Sequence, residues 1–218
     1  MKLLKNYPKT ILYNCFDLCE KNNIDTRNFY FEHTPFIKLY FKKFKIQTQI
    51  IGDYNVQNIA ASIIISEHFG VSLENISKTL EKLELTNNRS QLINTQNNRI
   101  LLDAYNANPT SVTLAIQSFK KLVTNEKYKE NLIILGDMLE LGQSTLRHHQ
   151  NIIYLLEKCN FKNCILIGNN FQKTKTHYSK ILSIDECLLI LKKEKISNKT
   201  ILIKGSRNMK LERIVKYL

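Results

Sequence analysis

Four short runs constrain the fold of this chain more than anything else in it: "RILLDA" (99–104), "NLIILG" (131–136), "NCILIG" (163–168) and "TILIKG" (200–205). Each has an apolar centre without polar alternation, the pattern of strands covered by helices on both faces. Helical stretches separate and follow them. These are "PTSVTLAIQSFKKLV", with Pro109 suited to the first helical position, then "STLRHHQNIIYLLEKC", "IDECLLILKKEK" and "SRNMKLERIVKYL". Strand and helix in turn predict an α/β unit over residues 89–218, built on a doubly wound, mostly parallel sheet.

In such sheets ligands bind in the crevice beyond the carboxyl ends of the strands. The four runs lead there into "DAYNANP", "GDMLELG", "GNN" and "KGSRN", polar tips expected to line one edge together. "KGS" at the start of a predicted helix offers backbone N–H groups and a positive helix end beside Lys204, Ser206 and Arg207, a cradle for an anion. Ordinary helix capping accounts for the same residues.

Residues 1–88 read differently. β-like runs ("KTILYN", "NFYFEH", "FIKLYFKKFKIQTQII") stand between Asn- and Asp-rich breaks. A helix follows in "DYNVQNIAASIIISEHFG", where Val56, Ile59, Ala60, Ile63 and Ile64 recur at helical spacing up to Gly70. A second helix starts at Ser72, an N-cap candidate.

With 218 residues and 43% hydrophobic content, the chain can bury one sizeable core, or one core and a small companion. The formal charge of +13 raises the question of nucleic acid, but 26 of the 32 basic residues are Lys, scattered among abundant Asn and Ile. In the densest patch, "KLYFKKFK" (38–45), basic and aromatic residues alternate as on a strand with one wet face. A solvated strand is the reading preferred over a nucleic-acid stripe. No run of 18 apolar residues exists, and the first twenty carry Asp, Glu and Pro, so a cytoplasmic protein without a membrane partner is expected. Five Cys without a CxxC pair suit a reducing compartment and give no support to a metal site.

"DAYNANPTSV", "LGDMLELG" with His149 seven residues past Gly142, and "LIKGSRNMKLE", in this order and spacing, resemble the C-terminal Rossmann-like domain of the Mur ligases. "IGDYNVQNIAASI" resembles the Asn-bearing helix of that family's central ATP-binding domain, and "NNRSQ" (87–91) its Arg-containing link. The resemblance implies that residues 1–88 are the C-terminal part of the central domain and 89–218 the C-terminal domain. It further implies an ATP- and Mg²⁺-dependent amide ligase of peptidoglycan precursor synthesis, in the branch that adds D-alanyl-D-alanine to UDP-N-acetylmuramoyl-tripeptide through an acyl phosphate. Carried over residue by residue, Asn58 and its neighbour Asn55 would meet the adenine, and Arg89 and Asp103 the ribose. Asn106 and Asn108 would meet the incoming dipeptide, with Lys204 and Ser206 as further candidates. For Asn108, capping of the helix that follows explains the residue equally well. No catalytic residue or metal ligand is assigned; His149 reads as structural.

Two features depart from the family pattern. Tyr54 stands where many relatives carry His, and no GxxxxGK[ST] stretch for the triphosphate occurs. The chain is therefore expected to represent the C-terminal half of a ligase, inactive without a separate polypeptide carrying the P-loop half. The alternatives are a non-catalytic remnant and a basic nucleotide- or RNA-binding module on the same fold.

Overall fold

A computed structural model describes residues 14–17, 28–33, 35–124 and 130–218. The chain divides into two compact units, one up to Gln49 and over Asp53–Leu83, the other over Ile50–Gly52 and Glu84–Leu218. Most of "KTILYN" and Cys19 lie outside the described residues.

The first unit is a four-stranded sheet in sequential order with two helices. β1 (Asn14–Asp17) pairs in parallel with β2 (Asn28–His33), which continues antiparallel into β3 (Ile37–Phe41) and β4 (Phe44–Gln47). The long run 36–51 is thus a hairpin rather than one strand. Lys42, at φ 52°, reverses the chain, and because a two-residue turn preserves the alternation, Leu39, Phe41 and Ile46 stay buried while Lys43 and Lys45 stay wet. Phe29 stacks on Phe41 with ring centroids 4.2 Å apart. Helix α1 (Val56–His68) buries Val56, Ile59, Ala60, Ile63 and Ile64, the expected stripe, and Gly70 turns the chain at φ +84°. Helix α2 (Leu73–Lys82) starts at Ser72, whose hydroxyl accepts the Asn75 N–H.

In the second unit six strands lie in the order β5-β6-β10-β7-β8-β9: β5 (Gln91–Asn94), β6 (Asn98–Asp103), β7 (Glu130–Gly136), β8 (Cys164–Ile167), β9 (Ser179–Ile181) and β10 (Lys199–Lys204). All neighbours are parallel except β5, which runs antiparallel along β6. The mostly parallel sheet expected from the four apolar runs is present. β5 and β9 are short edge strands that the apolar pattern did not announce.

Helices α3 (Pro109–Thr124), α4 (Thr145–Lys158) and the single turn α5 (Asn169–Gln172) follow β6, β7 and β8, while α6 (Ile184–Lys193) precedes β10. The chain steps outward from β6 to β9 and then returns to place β10 between β6 and β7. With right-handed crossovers, that reversal puts α6 on the face opposite α3 and α4. Burial agrees. Ile100, Leu102, Leu132, Ile134, Ile201 and Ile203 cluster with Cys187, Leu188 and Leu191 of α6 and with Leu211, Ile214 and Leu218. The intervening Leu101, Ile133 and Leu202, also buried, point the other way by the pleat.

The C-terminal stretch departs from expectation. "SRNMKLERIVKYL" is not an α-helix but two 3-10 segments, Arg207–Met209 and Leu211–Tyr217, separated by Lys210 at φ 51°. Leu211 and Ile214, three apart, are buried, and the tighter coil seats them in the cluster with Cys187, Leu188 and Leu191 of α6. The thiols behave as ordinary side chains: Cys15, Cys159, Cys164 and Cys187 are free, and burial pushes Cys164 up to about 12 and Cys187 to about 11. No described helix is long and apolar enough to cross a membrane.

Candidate functional site

β6 and β7 are consecutive in the chain but separated in the sheet by β10. Their tips mark the point where strand order reverses, and the crevice of a doubly wound sheet opens there. Three of the expected polar tips converge at this point: "DAYNANP" after β6, "GDMLELG" after β7 and "KGSRN" after β10.

Register creates the central contact. Asp103 and Lys204 are direct neighbours across the β6–β10 ladder, so their side chains leave the same face. Lys204 Nζ donates to Asp103 Oδ2 at 2.6 Å and to the Asn106 carbonyl at 3.0 Å. The other Asp103 oxygen, Oδ1, accepts the Ser90 N–H at 3.2 Å. Asp103 is 9% exposed and Lys204 2%, and a pair held this far from water needs such additional hydrogen bonds to offset desolvation. The carboxylate keeps lone pairs open to a hydroxyl donor.

Above this pair the loop turns outward. Tyr105 and Asn106 are exposed and Ala107 is buried. The Arg89 guanidinium lies 3.6 Å from the Tyr105 ring centroid and Arg207 lies 5.9 Å from it, contacts of cation–π type. Arg207 also faces Glu212 at 3.8 Å. Asn108 caps α3: its Oδ1 accepts the Ser111 N–H at 2.8 Å, and Ser111 Oγ accepts the Asn108 N–H at 3.1 Å. This is the reciprocal arrangement of a capping box with Ser in place of Glu. Its side chain is thereby committed to the helix start while Asn106, two residues earlier, is left at the surface.

Ser206 is 6% exposed. Its hydroxyl donates to the Asp137 carbonyl at 2.8 Å and accepts the Leu139 N–H at 3.1 Å, so it ties the β10 tip to the β7 tip. Asp137 in turn accepts the Asn170 and Phe171 N–H groups at 2.9 and 3.0 Å. His149 is fully buried and both ring nitrogens are used: Nε2 accepts the Met138 N–H at 3.0 Å, and Nδ1 lies 2.8 Å from the Thr145 carbonyl. Accepting at Nε2 fixes the neutral tautomer with its proton on Nδ1.

Burial lowers the His149 pKa below its ordinary 6.5, against the opposing pull of the Thr145 carbonyl and Asp137. A base depressed in this way binds its proton more readily in the unfolded chain. Stability should therefore be intact above about pH 6.5 and fall as pH drops below it. Urea midpoints measured from about pH 7 down to about pH 5 should decline for the wild type and decline less for His149→Gln; an equal decline would assign the acid sensitivity elsewhere.

Asn55 and Asn58 belong to the first unit. Asn55 ends the 3-10 turn Asp53–Asn55 ahead of α1 and is half-buried; Asn58 sits exposed on the first turn of that helix.

Comparison with known proteins bears on this arrangement. The model of the Mur ligase glutamate ligase domain matches residues 88–207, the span that holds Arg89, Asp103, the 103–108 loop, Asp137, His149, Lys204 and Ser206. The UDP-N-acetylmuramoyl-tripeptide--D-alanyl-D-alanine ligase of Bacillus subtilis is 34% identical over 182 residues, 78% of this chain and 38% of that protein. This chain belongs to the Mur ligase family.

The ligase of the same name from Rickettsia prowazekii is 28% identical over 79% of this chain and 39% of its own length. Among solved structures, MurF from Acinetobacter baumannii superposes with a TM-score of 0.69 at 24% identity over 86% of this chain and 44% of that one. Thermotoga maritima MurF, solved with ADP, superposes with a TM-score of 0.68 at 14% identity over 88% and 48%. The Mur ligase chain described here thus spans about two fifths of the length of the curated relatives it matches.

Sequence reasoning located the loop but missed what holds it. Lys204 as the partner of Asp103 follows only once β10 is known to lie beside β6. Tyr105 as the platform under Arg89 carried no signal beyond its place inside "DAYNANP". Among the described residues no group of three or more His, Cys, Asp or Glu could hold a metal ion.

Proposed function

We propose that this chain is the C-terminal part of a ligase that joins D-alanyl-D-alanine to UDP-N-acetylmuramoyl-tripeptide in cytoplasmic peptidoglycan precursor synthesis, with residues 1–88 derived from the central domain and 89–218 forming the C-terminal domain. The observation that carries this reading is the Asp103 carboxylate, held by Lys204 and the Ser90 N–H at the strand-order reversal and flanked by Arg89 on Tyr105. The names of the relatives supply the reaction; the side chains at the strand tips suit a sugar hydroxyl and an amide-bearing acceptor.

In this reading ATP places its ribose against Asp103 and Arg89, since a carboxylate accepts from hydroxyls and a guanidinium donates to their oxygens. Asn55 and Asn58 of the first unit serve the adenine. The exposed Asn106 side chain meets the dipeptide, with Asn108 at the helix start behind it. Lys204 and Ser206 act from beneath, holding the loops in place. Triphosphate and Mg²⁺ chemistry is the part of the reaction that these residues do not perform. It belongs to a P-loop-bearing part of the ligase, and residues 1–218 without that part are inactive.

Amide spectra of the isotopically labelled chain, titrated with ADP and separately with D-alanyl-D-alanine, test the reading. Both ligands should shift residues of the 103–108 loop. Asp103→Asn should weaken ADP binding about ten- to a hundredfold, the loss of a charge-assisted hydrogen bond, and Asn106→Ala should weaken binding of the dipeptide. Shifts confined to other parts of the chain would reject the site, and ATP-dependent ligation by the purified chain would reject its inactivity.

A further inference from the structure

In the reading above Asp103 and Asn106 serve different ligands, yet one ammonium holds them both. Lys204 Nζ bonds Asp103 Oδ2 at 2.6 Å and the Asn106 carbonyl at 3.0 Å. An ammonium has three donors and no acceptor, so two of the three are committed to residues three apart in one loop. The side chain is 2% exposed, which leaves water little room to take over a bond that weakens. Competing donors on one carboxylate weaken each other, whereas a donor released from one partner binds its remaining partner more strongly.

We propose that Lys204 is a positioning residue that couples the nucleotide and acceptor sites. A ribose hydroxyl donating to Asp103 takes up part of the charge that now binds the ammonium. Lys204 then holds the Asn106 carbonyl more firmly, and the loop is fixed in the form that presents the Asn106 side chain. The dipeptide is bound more tightly once the nucleotide is in place, and by linkage the nucleotide is bound more tightly by the same factor when the dipeptide is present. This inference rests on the assignment of ribose to Asp103 and dipeptide to Asn106.

The test is a pair of titrations of the labelled full chain with D-alanyl-D-alanine, one without ADP and one with ADP at saturation, repeated with the ligands exchanged. In the wild type the dipeptide dissociation constant should fall about fivefold or more with ADP present, with the same factor in reverse. In Lys204→Met both ligands should still bind and the factor should shrink towards one, a change that a merely structural role would not produce. A wild-type factor of one overturns the coupling whether or not the variant folds, and so does an unchanged factor in a folded Lys204→Met. If neither ligand shifts the 103–108 loop, the assignment of the two sites falls first and the coupling with it.

Discussion

Lys204→Met should cost the second unit about 3–5 kcal/mol, the range for removing one partner of a buried ion pair. The reason lies less in the bond that is lost than in what remains. Asp103, 9% exposed, would keep a charge at the end of β6 with the Ser90 N–H as a neighbour and no cation opposite. The Asn106 carbonyl would lose its donor at the same time. Removing both charges should be far milder, because a hydrophobic pair of similar volume escapes the desolvation that the ion pair must offset. Asp103→Leu combined with Lys204→Met is thus expected to recover most of the loss, and a double-mutant cycle of urea midpoints would give an interaction energy of the large kind found for residues in direct contact. A single Lys204→Met loss within about 1 kcal/mol would show that the pair is solvated in practice and worth what a surface pair is worth. A pair that is costly to bury and replaceable by apolar residues has no advantage for stability alone. Its place at the strand-order reversal is better accounted for by the ligand chemistry proposed for Asp103.

The same pair shows where sequence reading stops. β6, β7, β8 and β10 were legible because burial on both faces leaves an unbroken apolar run, and α3 because Pro109 marks its start; the Ser183 hydroxyl that caps α6 was not picked out. β5 was not legible. It is an edge strand of four residues, "QLIN", none of them fully buried, and an edge strand need satisfy only one neighbour. β9, "SKI", buries a single residue. The C-terminal stretch misled because apolar residues three apart fit a 3-10 coil as well as an α-helix, and the left-handed Lys210 that divides it has no glycine to signal it. Asp103 could be named as a site residue from its motif, whereas its contact with Lys204 joins residues 101 positions apart. That contact depends on β10 inserting beside β6, which strand patterns taken one at a time do not encode.

Gly168→Ala should be among the most damaging single changes in the chain, at about 4 kcal/mol, the sum of a glycine-only backbone conformation and an overpacked contact. Gly168 lies at φ 125° and ψ 165°, a region essentially closed to residues with a Cβ. A Cβ built there would overlap the Asp137 carboxyl carbon and Oδ2 and stand 2.7 Å from Oδ1. The carboxyl cannot swing aside cheaply, because its oxygens accept the Asn170 and Phe171 N–H groups at 2.9 and 3.0 Å. Gly142 is the control. It also has a positive φ, +56°, but nothing lies within 4 Å of a Cβ added to it, so Gly142→Ala should cost only the left-handed penalty of about 1–2 kcal/mol. The difference between the two in urea unfolding isolates the collision with Asp137, and equal losses would mean that the carboxyl relaxes freely. The consequence reaches the site. The Asp137 carbonyl accepts the Ser206 hydroxyl, and Ser206 also receives the Leu139 N–H. A displaced Asp137 therefore pulls on the tip of β10 two residues from Lys204, and Gly168→Ala should shift the amides of the 103–108 loop although it lies in the turn after β8. Their persistence at wild-type positions would show that the β7 and β10 tips are held independently of Asp137.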